Sequence, residues 1–170
     1  MALFLEEYQI VPAIRPVDLQ TGANNGDWVS LKNASKVIAF FHSAIGTAGD
    51  DPTVTVNQAT AVAGTSSKAL NIDSDKVFKK QAATSLASTG SWAAGATVAT
   101  NTWTDTDSAE QETLVAIEIL AAELDADNDF DCVQITVADV GSNAQLGAAY
   151  YLVKMTRQAA PADVPSVIAD

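Results

Sequence analysis

The chain has 170 residues, of which 48% are hydrophobic and 18% charged; this composition is typical of one globular domain and excludes a wholly disordered chain. Nine Lys and Arg residues against 21 Asp and Glu residues give a formal net charge of −12, which disfavours direct binding to nucleic acid and to anionic membranes. A single cysteine and a single histidine exclude an internal disulfide bond and a Cys/His zinc site, so the fold must depend on packing or on assembly with other copies.

Residues 1–20 predict an extended N-terminal arm. Apolar and polar side chains alternate in this segment, but Pro12 and Pro16 cannot donate hydrogen bonds to a sheet. Glu6 and Glu7 stand where a secretory signal would carry basic residues, and no apolar run approaches the ~18 residues that cross a bilayer. We therefore expect a soluble protein that is made in the cytoplasm.

Residues 21–157 predict a domain of short β-strands. Turn residues precede a short strand expected at 28–31. The run KVIAFFHSA at 36–44 is β-branched, aromatic and apolar on both faces, which is typical of a central strand. Residues 53–57 alternate strictly and predict a half-buried strand with its valines on one face.

Within this domain, residues 79–110 predict a long surface excursion. The segment is mostly Ala, Thr, Ser, Gly and Asn, and its large side chains are Trp92 and Trp103. Indole rings stack on sugars, so a surface-binding role for these two residues is one alternative. The other is that they anchor loops or fill interfaces between subunits.

The last third of the chain predicts further strands and a second arm. Residues 112–124 fit both strand and helix spacing, and their β-branched content favours a strand. Residues 132–140 alternate, a last strand is expected from 147 onward, and the proline-containing segment 158–170 predicts a C-terminal tail. Together these patterns predict a single mainly β domain, an antiparallel β-sandwich or a barrel-like, jelly-roll-like fold with extended arms at both ends.

An acidic stretch precedes the strand at 132–140. Asp125, Asp127 and Asp129 occupy the first, third and fifth positions of an EF-hand-like calcium loop. The sixth position, which needs glycine, is Phe130, and the twelfth, which needs a bidentate glutamate, is Thr136. The sequence therefore favours a polar turn between two strands over a metal site.

No catalytic set is recognisable in the sequence. His42 lies in an apolar strand without a Ser or Cys nucleophile at motif spacing. No residue near Cys132 in the sequence would lower its pKa and activate it. We predict a protein that is not an enzyme and that needs no cofactor.

Several segments, taken in their order along the chain, resemble a family of small structural proteins of tailed-bacteriophage virions. The resemblance covers about residues 20–157 and carries no catalytic signature. The segments are GDWVSLKN (26–33), DDPTVTVNQATAV (50–62), SKAL (67–70), QETLVAIEI (111–119), LDADNDFDCVQITVADVG (124–141) and YYLVKMTR (150–157).

The resemblance implies a capsid decoration, or cement, protein on the exterior of the virion. Its partners would be the major capsid protein and other copies of itself, as a trimer or a similar homo-oligomer, with no direct contact to nucleic acid or membrane. Two alternatives are a carbohydrate-binding module for adsorption to the host, which would use Trp92 or Trp103, and a tail or head-completion protein. In the decoration role, apolar residues of the N-terminal arm would contact the capsid: Phe4, Leu5, Tyr8, Ile10, Val11 and Ile14.

Overall fold

The strands form two antiparallel sheets that pack face to face in an open sandwich. The computed structural model describes residues 3–83, 85–88, 90–95, 100–104 and 111–169. The strands are β1 (Tyr8–Asp18), β2 (Asn24–Asn25), β3 (Val29–Ser30), β4 (Ala34–Ser43), β5 (Thr53–Ala59), β6 (Lys68–Ala69), β7 (Val77–Ala82), β8 (Ala93–Ala94), β9 (Thr102–Thr104), β10 (Glu112–Leu120), β11 (Cys132–Val137) and β12 (Leu146–Met155). A short helix, α1 (Phe4–Glu7), precedes β1, and 3-10 turns lie at Leu19–Thr21, Ser74–Lys76, Leu86–Ser88, Ala121–Glu123 and Ala126–Asn128.

Sheet A has the strand order β1-β12-β4-β10-β7-β8, and sheet B has the order β2-β11-β5-β6. In sheet B, β3 also pairs with β11, and β9 pairs with β5. The prediction of a mainly β antiparallel sandwich is confirmed, whereas the barrel-like alternative is not, because the two sheets do not close into one. The segment at 112–124 is a strand as far as Leu120 and then a 3-10 turn.

The core lies between the two sheets, where alternate residues of each strand point inward. Its largest fully buried side chains include Trp103, Tyr151 and Phe41. The hydroxyl oxygen of Tyr151, from sheet A, accepts a hydrogen bond of 2.8 Å from the backbone N–H of Ile135 in sheet B. Gly26 also packs there, and a Cβ atom at this position would lie 2.6 Å from the Ile135 carbonyl oxygen. The close approach therefore requires glycine.

The N-terminal segment is an edge strand and not a separate arm. Tyr8–Asp18 pairs along its length with β12, and the register shifts between Pro12 and Ile14 and again between Ile14 and Val17. An edge strand pairs on one side only, and at a bulge further backbone positions are left out of the hydrogen-bonded ladder. Proline, which has no N–H group, is therefore tolerated there. The prediction from the prolines was wrong because it treated the segment as though it lay inside a sheet.

The C-terminal segment 158–170 also packs against the domain as far as it is described. Val167 is 2% exposed and belongs to the core, and its carbonyl oxygen accepts a hydrogen bond of 2.7 Å from Ser30. The Gln9 side chain donates to the Pro165 carbonyl oxygen. The prediction of a free tail is thus corrected: Val167 joins the core cluster and Val164 packs against it, but two valines in a segment without regular strand or helix give no periodic pattern in the sequence.

The segment at 79–110 contributes to both sheets and is not wholly a surface excursion. β7 extends into it as far as Ala82, β8 adds an edge to sheet A, and β9 adds an edge to sheet B. The rest of the prediction for this segment falls partly on residues 84, 89, 96–99 and 105–110, which lie outside the described residues.

Candidate interaction surface on sheet A

The two outer faces of the sandwich differ in polarity. The outer face of sheet B carries polar residues at the centre of β5 and β11, namely Thr53, Thr55, Asn57, Gln134 and Thr136. Their neighbours along each strand, such as Val54 and Ile135, are fully buried. Polar and apolar residues alternate in this way where a sheet has one face in the core and the other in water.

The outer face of sheet A lacks this alternation, because apolar residues occupy both faces of its central strands. We call it the apolar face and define it by four rows of residues that lie opposite one another across the strands, together with Trp92. The lysine row is Tyr8, Lys154, Lys36 and Leu120; the second row is Ile10, Leu152, Ile38 and Glu118; the central row is Pro12, Tyr150, Phe40, Ala116 and Phe78; and the histidine row is Ala148, His42, Leu114 and Lys80.

Large apolar side chains of this face remain accessible to solvent. The exposed fraction is 56% for Ile10, 40% for Tyr150, 40% for Phe78 and 42% for Trp92. Single exposed apolar residues are ordinary in soluble proteins, but a contiguous exposed patch marks an interaction site. The sequence KVIAFFHSA at 36–44 already pointed to this patch. A strand that is apolar on both of its faces is expected to be packed against other groups on both.

A depression of about 340 Å³ lies on the part of the apolar face formed by β4, β10 and β7. Residues Ile38, Phe40, Phe78, Trp92, Ala116 and Glu118 line it. The rings of Phe40 and Trp92 are 6.5 Å apart between centres and are tilted by 41°. The Lys80 ammonium nitrogen lies 5.0 Å from the centre of the Trp92 ring, where a cation is attracted to the ring electrons.

Charged side chains surround the apolar centre. Lys36 pairs with Glu118 at 2.6 Å, and the His42 Nε2 atom lies 2.9 Å from a carboxylate oxygen of Glu112. The backbone N–H of Leu86 and the His42 side chain both hold the pKa of Glu112 below its usual value. An apolar centre within a polar rim is the usual anatomy of a protein–protein interface.

The N-terminal corner, defined as Leu3, Phe4 and Leu5, adjoins the apolar face. The exposed fractions of these residues are 68%, 50% and 51%. The Phe4 ring stacks on Tyr8, the first residue of the lysine row, with 4.9 Å between ring centres and 9° between ring planes. The turn is held by the Glu6 side chain, which accepts a hydrogen bond from the Leu3 N–H.

The structure separates the six predicted capsid contacts into two groups. Phe4, Leu5, Tyr8 and Ile10 lie at the N-terminal corner or on the apolar face, so they stay predicted contacts. Ile14 is 5% exposed in the core, and Val11 packs against the core from the opposite side of β1 to Ile10. Both are withdrawn from the contact set, because in a paired strand successive side chains point to opposite faces.

The two predicted surface tryptophans also differ. Trp103 is fully buried at the centre of β9, where Val54 is its cross-strand neighbour, so its predicted surface role is wrong. The flanking threonines in TWT were the available signal, since they form a short alternating strand. Trp92 lies on the apolar face, and its role stays a prediction.

The acidic stretch forms a 3-10 turn at Ala126–Asn128, followed by Asp129 in the left-handed conformation with φ 62°. Asp125 accepts hydrogen bonds of 2.9 Å from the Asn128 side chain and forms an ion pair with Lys68, and these contacts lower its pKa. Within the described part of the chain, no three Asp, Glu, His or Cys side chains converge in a way that would hold a metal ion. The geometry is that of a polar turn.

Neither candidate for chemistry has a catalytic arrangement in the described ranges. His42 contacts Glu112 on the rim of the apolar face. Cys132 is buried on β11 and donates its thiol proton to an Asp131 oxygen at 3.1 Å. What the described residues do form is an exposed apolar face with charged side chains around it.

Comparisons of the chain with models of protein families, with curated proteins and with solved structures found no match. None of the helices in the described residues is long and apolar enough to cross a membrane. The function is therefore argued from the surface itself.

Proposed function

We propose that the protein is a non-catalytic structural component of a bacteriophage virion, a decoration protein that binds the outer surface of the major capsid shell. One observation carries this proposal: exposed apolar side chains are concentrated on the apolar face and the N-terminal corner, opposite a polar sheet B. A sandwich with one apolar side suits attachment to a larger assembly. The resemblance of its segments to small virion proteins supports the choice of a phage capsid as that assembly.

The N-terminal corner supplies the contact with the shell. Phe4 and Leu5 are each about half exposed, and burial of such a side chain contributes roughly 1.5–3 kcal/mol when it is complete. The corner stands at the start of β1, on a four-residue helix, and the adjoining strand is held by its pairing with β12. A fixed base for apolar side chains lowers the entropy lost on binding.

The outer face of sheet B suits contact with solvent on a decorated particle. The outer face of sheet B presents threonine, asparagine and glutamine side chains, and the chain carries a net charge of −12. A polar, acidic exterior would keep decorated particles soluble and limit adsorption to other acidic surfaces.

The proposal is tested with shells assembled from the major capsid protein of the same phage without the decoration protein. Purified chain is mixed with these shells and its bound fraction is measured by co-sedimentation. We expect the double variant Phe4→Ser, Leu5→Ser to bind at least tenfold more weakly, which corresponds to about 1.4 kcal/mol. The matched control Thr55→Ser, Thr136→Ser on sheet B should bind as the unmodified chain does.

Two outcomes would contradict the proposal. One is that the unmodified chain does not bind the shells at all. The other is that the corner variant, with an unchanged circular dichroism spectrum, binds as tightly as the control, in which case the N-terminal corner takes no part in attachment.

A second candidate function, glycan binding during adsorption to the host, is favoured by the surroundings of Trp92. This indole is 42% exposed beside the depression, with Glu118 and Lys80 close enough to supply polar contacts to a sugar. Binding of the unmodified chain to host-surface polysaccharide, lost in Trp92→Ala and kept in Phe78→Ala, would support it. No measurable binding by the unmodified chain would exclude it.

A further inference from the structure

We propose that two copies of this chain stack through their apolar faces, related by a two-fold axis that runs across the strands along the central row. The occupant of the apolar face is thus a second copy of the same chain. The inference goes beyond attachment to the capsid and does not rest on it, since the N-terminal corner lies outside the four rows and stays free in the stack. Tyr8 and Ile10 lie in those rows, so in the stack they contact the second copy and the capsid contact is left to Phe4 and Leu5. Three observations support it: the charge balance of the face, the arrangement of its charges and its area.

The first observation is that the apolar face, taken with its rim, is the neutral part of a strongly acidic molecule. Three lysines, Lys36, Lys80 and Lys154, lie in its rows. Glu118 also lies in the rows, and Glu112 and Asp18 lie just beyond them, so face and rim together carry three basic and three acidic side chains. The net charge of −12 therefore belongs to the rest of the chain. Two copies repel each other least when they approach through these faces.

The second observation concerns the order of the charges along the strands. An axis along the central row reverses the rows of the second copy, so its Glu112 end lies opposite the lysine row of the first. In the same way, Glu118 in the second row of one copy lies opposite the histidine row of the other copy, which contains His42 and Lys80. Opposite charges then meet around the rim. An axis parallel to the strands would instead place the lysine row on itself.

The third observation is the size of the face. β4 has 10 residues, so at ~3.3 Å per residue it is roughly 33 Å long. The five longer strands of sheet A, at ~4.8 Å spacing, give a width of roughly 20–25 Å. The footprint is on the order of 700 Å², close to the ~800 Å² that each partner buries in a stable interface.

The proposed axis also brings the depressions of the two copies together. Every residue of the central row lies opposite its counterpart in the second copy, so Phe78 meets Phe78 and Phe40 meets Phe40. Aromatic side chains near the middle of an interface contribute a large share of the binding energy. An isologous contact of this kind closes after two copies and does not continue into a filament.

The mass of the purified chain in solution tests the association. Sedimentation velocity should show a dimer at micromolar concentrations, and Tyr150→Asp, at an exposed position of the central row, should raise the dissociation constant at least a hundredfold. The matched control Thr55→Asp, at a half-buried position on the outer face of sheet B, should remain dimeric. Unchanged circular dichroism spectra would show that both variants fold. A monomer at all concentrations, or a trimer, would overturn the proposal.

Cross-linking tests the direction of the axis. In the proposed stack, a cysteine at position 150 meets its counterpart, so Tyr150→Cys should form an interchain disulfide on mild oxidation. Lys36→Cys, in the lysine row, should not, because its counterpart lies at the other end of the sheet. The unmodified chain is the background control, since Cys132 is buried on the far sheet. Cross-linking through position 36 and not through 150 would refute this orientation. The capsid-binding assay is separate, so failure of either proposal would leave the other standing.

Discussion

Tyr151 connects the two sheets through a polar atom inside an apolar core. Its ring belongs to the inner face of sheet A, and its hydroxyl oxygen accepts the Ile135 N–H where β11 passes between its pairings with β2 and β3. A buried N–H group that loses its partner costs more than the bond contributes when it is made. One hydroxyl therefore completes the hydrogen bonding of a strand in the other layer.

Replacement of this hydroxyl should destabilise the protein. We expect Tyr151→Phe to lower the free energy of unfolding by about 1–3 kcal/mol, because the Ile135 N–H would stay buried without an acceptor. The matched control is Tyr150→Phe, the next residue, whose ring lies on the outer face and is 40% exposed. Urea unfolding of both variants measures the difference, and equal stabilities would contradict the role given to the bond.

The same residue should make stability depend on alkaline pH. Burial raises the pKa of Tyr151 above the ordinary value of 10.0, so the native state holds its proton where the unfolded chain has lost it. The stabilisation is complete below pH 10 and is lost as the pH rises above it, by up to ~1.4 kcal/mol per pH unit. Unfolding between pH 9 and 11 should show a shallower decline in Tyr151→Phe than in Tyr150→Phe. Parallel curves would contradict this prediction.

At the scale of elements, β1 belongs to the domain although its sequence resembles an arm. Ile14 and Ala13 are core residues, while Ile10 is 56% exposed on the outer face of the same strand. One strand thus contributes both to the core and to the apolar face. The core residues lie in its second half, and the exposed Ile10 lies near its start.

Two deletions distinguish the corner from the strand. Removal of residues 1–7 should leave the melting temperature nearly unchanged, because α1 has no buried residue. Removal of residues 1–16 should abolish cooperative unfolding or lower the melting temperature by more than 10 °C, since it takes two core residues and the edge pairing with β12. Thermal melting followed by circular dichroism measures both. A folded chain after the longer deletion would show that β1 is dispensable.

The acidic turn makes a different prediction at the same scale. The carboxylate of Asp125 is already engaged by Lys68 and Asn128, and the described residues include no convergent set of ligands. Addition of millimolar calcium, or of a chelator, should therefore leave the melting temperature within about 1 °C, because a ligand stabilises only the state that binds it. Magnesium at equal concentration controls for ionic strength. A rise in melting temperature with calcium alone would contradict this prediction and support a metal site at the turn.

For the whole molecule, charge opposes association through most of its surface. Two bodies of charge −12 repel over a distance that salt shortens from ~14 Å at 50 mM to ~4 Å at 500 mM. The exposed ion pairs at the rim contribute little by comparison. We expect the dissociation constant between copies to fall on the order of tenfold over this range, as sedimentation equilibrium would measure. Weaker association at high salt would show that the rim pairs dominate.

Local sequence patterns were enough to predict several of the strands that form the core. Alternation at 53–57 and at 132–140 located two strands of sheet B, of which the second ends at Val137. The run at 36–44 located the central strand of sheet A, because a buried face imposes its period on the residues that form it. The sequence also predicted a polar turn at Asp125. It showed that the run at 36–44 is apolar on both faces, but the prediction of a central strand did not say what would contact the second face.

Only the tertiary structure decided the matters that depend on contacts between distant residues. Trp92 and Trp103 lie in the same segment rich in small residues, yet the pairing of β9 with β5 buries Trp103, and Trp92 lies against Phe40 on the surface. The prolines of β1 are tolerated because this strand pairs on one side only, with β12. Val167 is held in the core by a hydrogen bond from the Ser30 N–H to its carbonyl oxygen. Composition and periodicity report which face of a strand is apolar, but they do not report what lies across from it. That depends on strand order, which is a property of the folded chain.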